Sequence, residues 1–222
     1  MYDTLLDLPL FRGASRDRIT DTVGKAKFHF LKFEPGDKIV GAGQPCSHLM
    51  FILAGQVEAS MEMGNGKYTC KQYFRNPDVL YPDFLFGRDI HFPASVTAIS
   101  TTNILQIEKA DYLHILKSDS VFLLNFLNFL SINSQKALSE LAQSSDANPD
   151  KRIAFRILGL TRLSAYRIVI STSDGSLSQL FGVTIDQLQS FLSRMKEQRI
   201  LDFESGQIEI WDRKALIDLL NT

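Results

Sequence analysis

Cysteine is scarce in this chain, with only Cys46 and Cys70 among 222 residues. Two cysteines do not make a disulfide-stapled secreted scaffold, and free thiols in a reducing compartment are the expectation. No uninterrupted apolar run reaches the roughly 18 residues of a membrane span, so no membrane partner is expected. The opening Met1-Tyr2-Asp3-Thr4 has neither a basic stretch nor an apolar core after it. No signal peptide is read there, and a cytoplasmic location follows. Charge of one sign is not in excess: 24 Lys and Arg face 25 Asp and Glu, net −1. Any basic surface suited to nucleic acid must therefore be local. Enzyme signatures are missing as well. There is no Gly-x-Ser-x-Gly, no His-Glu-x-x-His, and no glycine-rich phosphate loop opening a helix. Gly41-Ala42-Gly43 lies between strands and lacks a third glycine. Cys46-Ser47-His48 is not by itself a metal signature. We therefore expect a protein that is not an enzyme and has no metal site.

What is present changes texture along the chain. Residues 1–20 read as a short helical lead-in with Leu5, Leu6, Leu8, Leu10 and Phe11 around Pro9. From about 28 to 109, short apolar runs alternate with turn residues, as in a β-barrel or sandwich. The runs are 28–33, 38–40, 48–53, 57–63, 67–74, 96–99 and 104–107. Asn65-Gly66 suits a type I′ hairpin turn, whose two central residues need positive φ. From about 110 the apolar period becomes helical, and 121–142 holds no Gly or Pro. That helix is too apolar for one wet face, so we read one face on the barrel and the other on a partner helix. The polar stretch from Ser144 to Asp150 reads as a domain boundary. Beyond it come a helix over 151–163, a strand near 167–170, a helical pair, a strand at 207–211 and a last helix at 213–220.

The helical pair carries the most specific motif. Leu177, Leu180 and Phe181 face inward from a first helix, and Gly182 sits where the chain reverses. Thr184 caps a second helix, with Gln187 at its third position as in a capping box. Leu188, Phe191, Leu192 and Met195 bury that helix, and Ile185, Asp186, Gln189, Ser190, Ser193 and Arg194 lie outward. Two short strands around Glu204-Ser205-Gly206 then form a hairpin wing. In helix-turn-helix motifs the second helix enters the DNA major groove and its first turns read base edges.

These features resemble the Crp/Fnr family of regulators. The run Leu192-Ser193-Arg194-Met195-Lys196-Glu197 ahead of a wing is similar to the family's. So are Glu34-Pro35-Gly36-Asp37, Gly43 and Met50-Phe51-Ile52-Leu53-Ala54-Gly55-Gln56-Val57 in the barrel. The resemblance implies an α+β chain: an N-terminal double-stranded β-helix (jelly-roll) barrel of eight strands, a long dimerisation helix and a winged helix-turn-helix. The corresponding domains are 1–119, 120–145 and 146–222. Implied partners are double-stranded promoter DNA with a two-fold symmetric site, a second copy of the chain, RNA polymerase and a small-molecule effector. Implied DNA contacts are Thr184, Ile185, Asp186, Gln187, Gln189, Ser190, Arg194 and Lys196. The effector pocket maps to Tyr81, Pro82, Asp83, Arg88, Phe92 and Pro93.

The chain departs from the family in three places. Cyclic-nucleotide-binding members hold the ribose with a Gly-Glu pair and the phosphate with an Arg-Ser pair. Here Tyr81-Pro82 and Phe92-Pro93 stand at those positions. Proline donates no N–H and phenylalanine cannot neutralise a phosphate, so neither cAMP nor cGMP is expected to bind in the usual mode. Arg88 is the one shifted candidate for phosphate. Iron–sulfur members use several N-terminal cysteines, and none precedes Cys46 here, so no such cluster is expected. Cys46, His48, His91 and His114 are read as ordinary barrel residues rather than haem ligands. Related members often carry arginine at the positions of Ile185 and Ser190, and both are missing. Gln187 or Gln189 suits adenine, Asp186 suits a cytosine amino group, and Thr184 or Ser190 suits phosphate. Residues 151–203 nonetheless hold eight basic and four acidic side chains, a local +4. Three functions compete: a DNA-binding regulator with a signal-sensing barrel, a ligand-independent regulator whose barrel fills its own pocket, and a protein-interaction module that has lost DNA binding.

Overall fold

Short strands bounded by tight turns build the first half of the chain, and helices around a small sheet build the second. The computed structural model describes residues 6, 8, 10–143, 148–172 and 176–220. In chain order it runs α1 (Arg16–Lys25), β1 (Phe28–Phe33), β2 (Lys38–Val40), β3 (His48–Ala54), β4 (Gln56–Met63), β5 (Tyr68–Arg75), β6 (Asp78–Leu80), a 3-10 turn (Pro82–Phe84), β7 (Ser95–Ala98), β8 (Thr102–Glu108), α2 (Lys109–Ser118), α3 (Ser120–Gln143), α4 (Pro149–Gly159), β9 (Arg167–Thr172), α5 (Leu177–Phe181), α6 (Ile185–Glu197), β10 (Leu201–Glu204), β11 (Gln207–Ile210) and α7 (Arg213–Leu220). Residues 1–58 with 75–133 form one compact unit, and 59–74 with 134–222 form a second.

The first unit is organised by β3. Its run Leu49-Met50-Phe51-Ile52 is buried on both faces, and so lacks the alternation of a half-exposed strand. It pairs antiparallel with β8 from His48↔Glu108 to Ile52↔Ile104, with a bulge before Ala54. On its other side it pairs with β6, and β1 lies beyond β8. β2 pairs antiparallel with β7, again with a bulge, between Lys38 and Val40. Gly55 ends β3 at φ +92, and a Cβ there would lie 2.4 Å from the Thr101 carbonyl oxygen. Only glycine fits that turn. Leu8, Leu10 and Phe11 are fully buried, and Phe11 meets Phe51 and Phe122 edge-on at 5.4 and 5.2 Å. Within the described part of the lead-in, Leu6 is helical, residues 10–13 form a turn with Leu10 and Phe11 buried, and a helix begins at Arg16. Met1–Leu5, Asp7 and Pro9 lie outside the described residues.

The second unit has an antiparallel sheet at its centre. β10 pairs with β11, β11 with β9, and β9 with β5 in register from Tyr68↔Thr172 to Tyr73↔Arg167. The β4–β5 hairpin turns at Asn65 (φ 56) and Gly66 (φ 82), as the type I′ reading requires. Ile168, Ile170, Ile208 and Ile210 of the sheet share the buried core with Ile153 and Ile157 of α4, Phe191 of α6 and Leu216 of α7. The carboxamide of Gln72, itself 3% exposed, accepts the Arg162 backbone N–H at 2.6 Å and donates to the Leu160 carbonyl at 3.4 Å.

The elements follow the sequence reading with three corrections. The helix expected over 151–163 spans Pro149–Gly159, because Asn148 caps it by accepting the Asp150 N–H and Pro149 fits the first turn. The strand β6 was not expected: three residues after a proline are too few to show a period. The final strand ends at Ile210 rather than 211. Of the expected boundary segment, residues 144–147 lie outside the described residues. Among the described residues no single helix is long and apolar enough to cross a membrane.

Candidate functional site

The helix-turn-helix is assembled by local chemistry. α5 buries Leu177 and Phe181, while Leu180 is half-buried. Gly182 closes it in the left-handed conformation, φ 65. Thr184 then starts α6 with the expected reciprocal cap. Its hydroxyl accepts the Gln187 N–H at 3.2 Å, and Gln187 Oε1 accepts the Thr184 N–H at 3.1 Å. Two otherwise orphaned N–H groups are satisfied at once. Leu188, Phe191, Leu192 and Met195 hold α6 against the core. The wing β10–β11 follows directly and turns at Ser205 and Gly206, both at positive φ.

This packing leaves Ile185, Asp186, Gln189, Ser190 and Ser193 exposed together on α6. Of the other residues read as DNA contacts, Thr184 and Gln187 have their side-chain oxygens engaged in the cap. Arg194 is bound to the Asp150 carboxylate. Lys196 lies 2.6 Å from Asp202. The hydrogen bond between them pulls the Asp202 carboxyl below its ordinary range and raises Lys196 above its own. Arg167 is likewise paired with Glu209 at 2.6 Å and lies 4.8 Å over the Tyr73 ring. Arg167, Arg194 and Lys196, all counted among the cations of 151–203, thus have carboxylate partners. A cleft of about 440 Å³ is lined by Asn148, Asp150, Lys151, Arg194, Met195 and their neighbours.

The barrel segment read as an effector pocket is packed with rings. Tyr81, 5% exposed, adopts a left-handed conformation at φ 46 ahead of the 3-10 turn at Pro82. Its ring lies edge-on to Phe84 at 6.1 Å and to Phe92 at 6.3 Å. Leu85, Ala94 and Val96 are fully buried beside them in the chain. Phe92 is fixed by main-chain bonds to the β2–β3 loop: its N–H donates to Gln44 O at 2.9 Å, and its carbonyl accepts from Gly43 at 2.8 Å. Pro82 is buried, Asp83 and Pro93 are half-buried, and Arg88 is exposed. His91 and Asp89 pair at 3.0 Å on the surface. Cys46 and Cys70 are both free thiols, and burial pushes them up to about 11 and about 12. Among the described residues no cluster of three or more His, Cys, Asp or Glu could hold a metal ion.

Sequence reasoning missed Asp150, Asp202 and Glu209 as partners of the domain's cations. Asp202 carries a sequence signal, since it is the second residue of the wing strand that follows α6.

Comparison with known proteins fits this geometry. Residues 30–119 match the cyclic nucleotide-binding domain family. No curated protein matches the chain. Among solved structures, the Thermus thermophilus catabolite activator protein is 18% identical, with 96% of this chain and 98% of that one covered at a TM-score of 0.55. CprK in complex with OCPA is 16% identical, with 91% and 93% covered at 0.50. The sensor domain of the transcriptional regulator DNR from Pseudomonas aeruginosa is 15% identical, with 59% and 85% covered at 0.50. Residues 30–119 thus match the cyclic nucleotide-binding domain family, and the chain as a whole has the fold of the Thermus thermophilus catabolite activator protein.

Proposed function

We propose that this chain is a sequence-specific, non-enzymatic DNA-binding transcription regulator that works as a homodimer in the cytoplasm. The observation that carries the reading is the capped helix-turn-helix followed at once by a wing, with α6 presenting a polar face of Asp186, Gln189, Ser190 and Ser193. An exposed second helix with its N-terminus capped is the element that enters a major groove. Thr184, Ile185, Asp186, Gln187, Gln189, Ser190, Arg194 and Lys196 remain the proposed contacts. Arg194 and Lys196 reach DNA only by exchanging Asp150 and Asp202 for phosphate. The functional parts are the sensor barrel over 1–119, the dimerisation helix over 120–145 and the DNA-binding part over 146–222.

Dimerisation rests on α3. Leu123, Leu124, Leu127 and Ile132 are 39, 55, 47 and 53% exposed on it. Four large apolar side chains at helical spacing on one helix fit a second copy of the same helix. Burying the exposed half of each would contribute roughly 1 kcal/mol, about half the value for a fully exposed side chain.

The barrel does not answer to cAMP or cGMP in the usual mode. Tyr81 and Phe92 pack their rings together in the cassette, and among the described residues no Lys or Arg is buried. The effector-pocket positions Tyr81, Pro82, Asp83, Arg88, Phe92 and Pro93 serve another small molecule or none. Promoter DNA and RNA polymerase are the downstream partners of this reading.

Enrichment of DNA from a random duplex pool, at stated salt because affinity depends on it, tests the proposal. Recovery of a defined sequence supports it, and an unenriched pool overturns it. In that case the second reading gains: a protein-interaction module that kept the fold, which the paired state of Arg194 and Lys196 favours.

A further inference from the structure

The outward face of α6 is unusual in what it offers a base edge. Ile185 is 64% exposed, the highest value among the exposed large apolar side chains of the described residues. It occupies the first helical position, directly after the Thr184 cap. A single exposed isoleucine is ordinary; what singles this one out is its place in the first turn of the second helix, the turn that meets base edges in such motifs. Gln189 lies four residues on, on the same face of the helix and exposed. Gln187, the other glutamine of the helix, has its carboxamide oxygen held by the cap at 3.1 Å. The two cations of the helix are held by Asp150 and Asp202. The first two turns present one aliphatic group (Ile185), one free carboxamide (Gln189), one carboxylate (Asp186) and one hydroxyl (Ser190), and no guanidinium.

Base edges in the major groove differ in what they accept. Guanine shows two acceptors and is best met by a two-donor fork from arginine or lysine. Adenine shows one donor and one acceptor, which a carboxamide matches in both positions. Thymine alone shows a methyl group, which takes an apolar contact. Four residues of helix rise about 6 Å, close to two base steps of about 3.4 Å each.

We propose that α6 reads A·T pairs, with Ile185 packed on a thymine methyl and Gln189 bonded to the N6 and N7 edge of an adenine one or two steps away. Asp186 beside them is an acceptor only, and meets a base-edge amino group, N6 of adenine or N4 of cytosine. This deepens the DNA-binding reading and rests on it.

The test uses the full chain and the duplex enriched from the random pool. Uracil in place of thymine removes only the methyl group, and 7-deazaadenine removes only the N7 acceptor. At the specified pair, uracil weakens the native chain about fourfold, the value of one buried carbon. The Ile185→Ala variant loses that sensitivity. Deazaadenine weakens the native chain by up to about tenfold, the upper end for one hydrogen bond, and Gln189→Ala loses that sensitivity. Both substitutions lie at exposed positions outside the cap, and unchanged thermal unfolding separates lost readout from lost folding. Equal affinity for thymine and uracil duplexes, or half-sites specified only at G·C pairs, overturns the inference while DNA binding itself stands. An unenriched pool overturns both.

Discussion

The ring of Tyr81 stands edge-on to that of Phe92, with 6.3 Å between centroids and both side chains buried. A cyclic nucleotide in the usual mode needs a carboxylate and an arginine in this part of the barrel. Two interlocked rings supply neither, and phosphate cannot be desolvated without a cation or a set of N–H donors. Calorimetric titration of the purified protein with cAMP or cGMP is expected to show no saturable heat at micromolar ligand. A micromolar dissociation constant would contradict this.

Gln72 holds β5 to the end of α4 through Leu160 and Arg162. Truncation by Gln72→Ala leaves the Arg162 N–H without its acceptor in a nearly dry position. The expected loss is about 1–3 kcal/mol, read as a lower denaturant midpoint with an unchanged slope. A midpoint equal to that of the native chain would show that water replaces the carboxamide at no cost.

Burial raises the thiols of Cys46 and Cys70 to about 11 and about 12, against about 8.5 in an unfolded chain. The folded chain keeps its thiol protons where the unfolded chain loses them. Stability is then fully present below about pH 8.5 and falls as pH rises toward the folded values. Alkylation by iodoacetamide at pH 8 is expected to be slow in the native protein and fast once it is unfolded. Cys70→Ala should flatten the alkaline fall in stability. Rapid labelling of both thiols in the native state would contradict their burial.

What was legible in the sequence was local. Gly182, Thr184 and Gln187 announce their turn and cap through spacing alone, and the cap is present as read. Asn65-Gly66 likewise declares its turn. The Asn148-Pro149-Asp150 start of α4 was present in the sequence but read as boundary, because a polar run serves both purposes. Non-local facts were not legible. The pairing of Tyr73 with Arg167, the seat of Gln72 and the Asp150 partner of Arg194 join residues far apart in sequence. No period or motif encodes such separations. The candidate DNA face was therefore found by type, while the neutralisation of its cations was not.

The exposed leucines of α3 give a direct test of assembly. Leu124→Glu with Leu127→Glu places charge on the face assigned to the second copy, at side chains 55 and 47% exposed. Sedimentation is expected to show a dimer for the native chain and a folded monomer for the variant. A native monomer, or a variant that still dimerises, would contradict the assignment of this face.

The central claim is that two copies of α6, presented by a dimer, read two half-sites on one face of duplex DNA. The most direct measurement is the symmetry and spacing of sequences enriched from a random duplex pool. An inverted repeat with half-site centres one helical turn apart, about 34–36 Å, is expected. A single unrepeated site, a direct repeat, or no enrichment would contradict it.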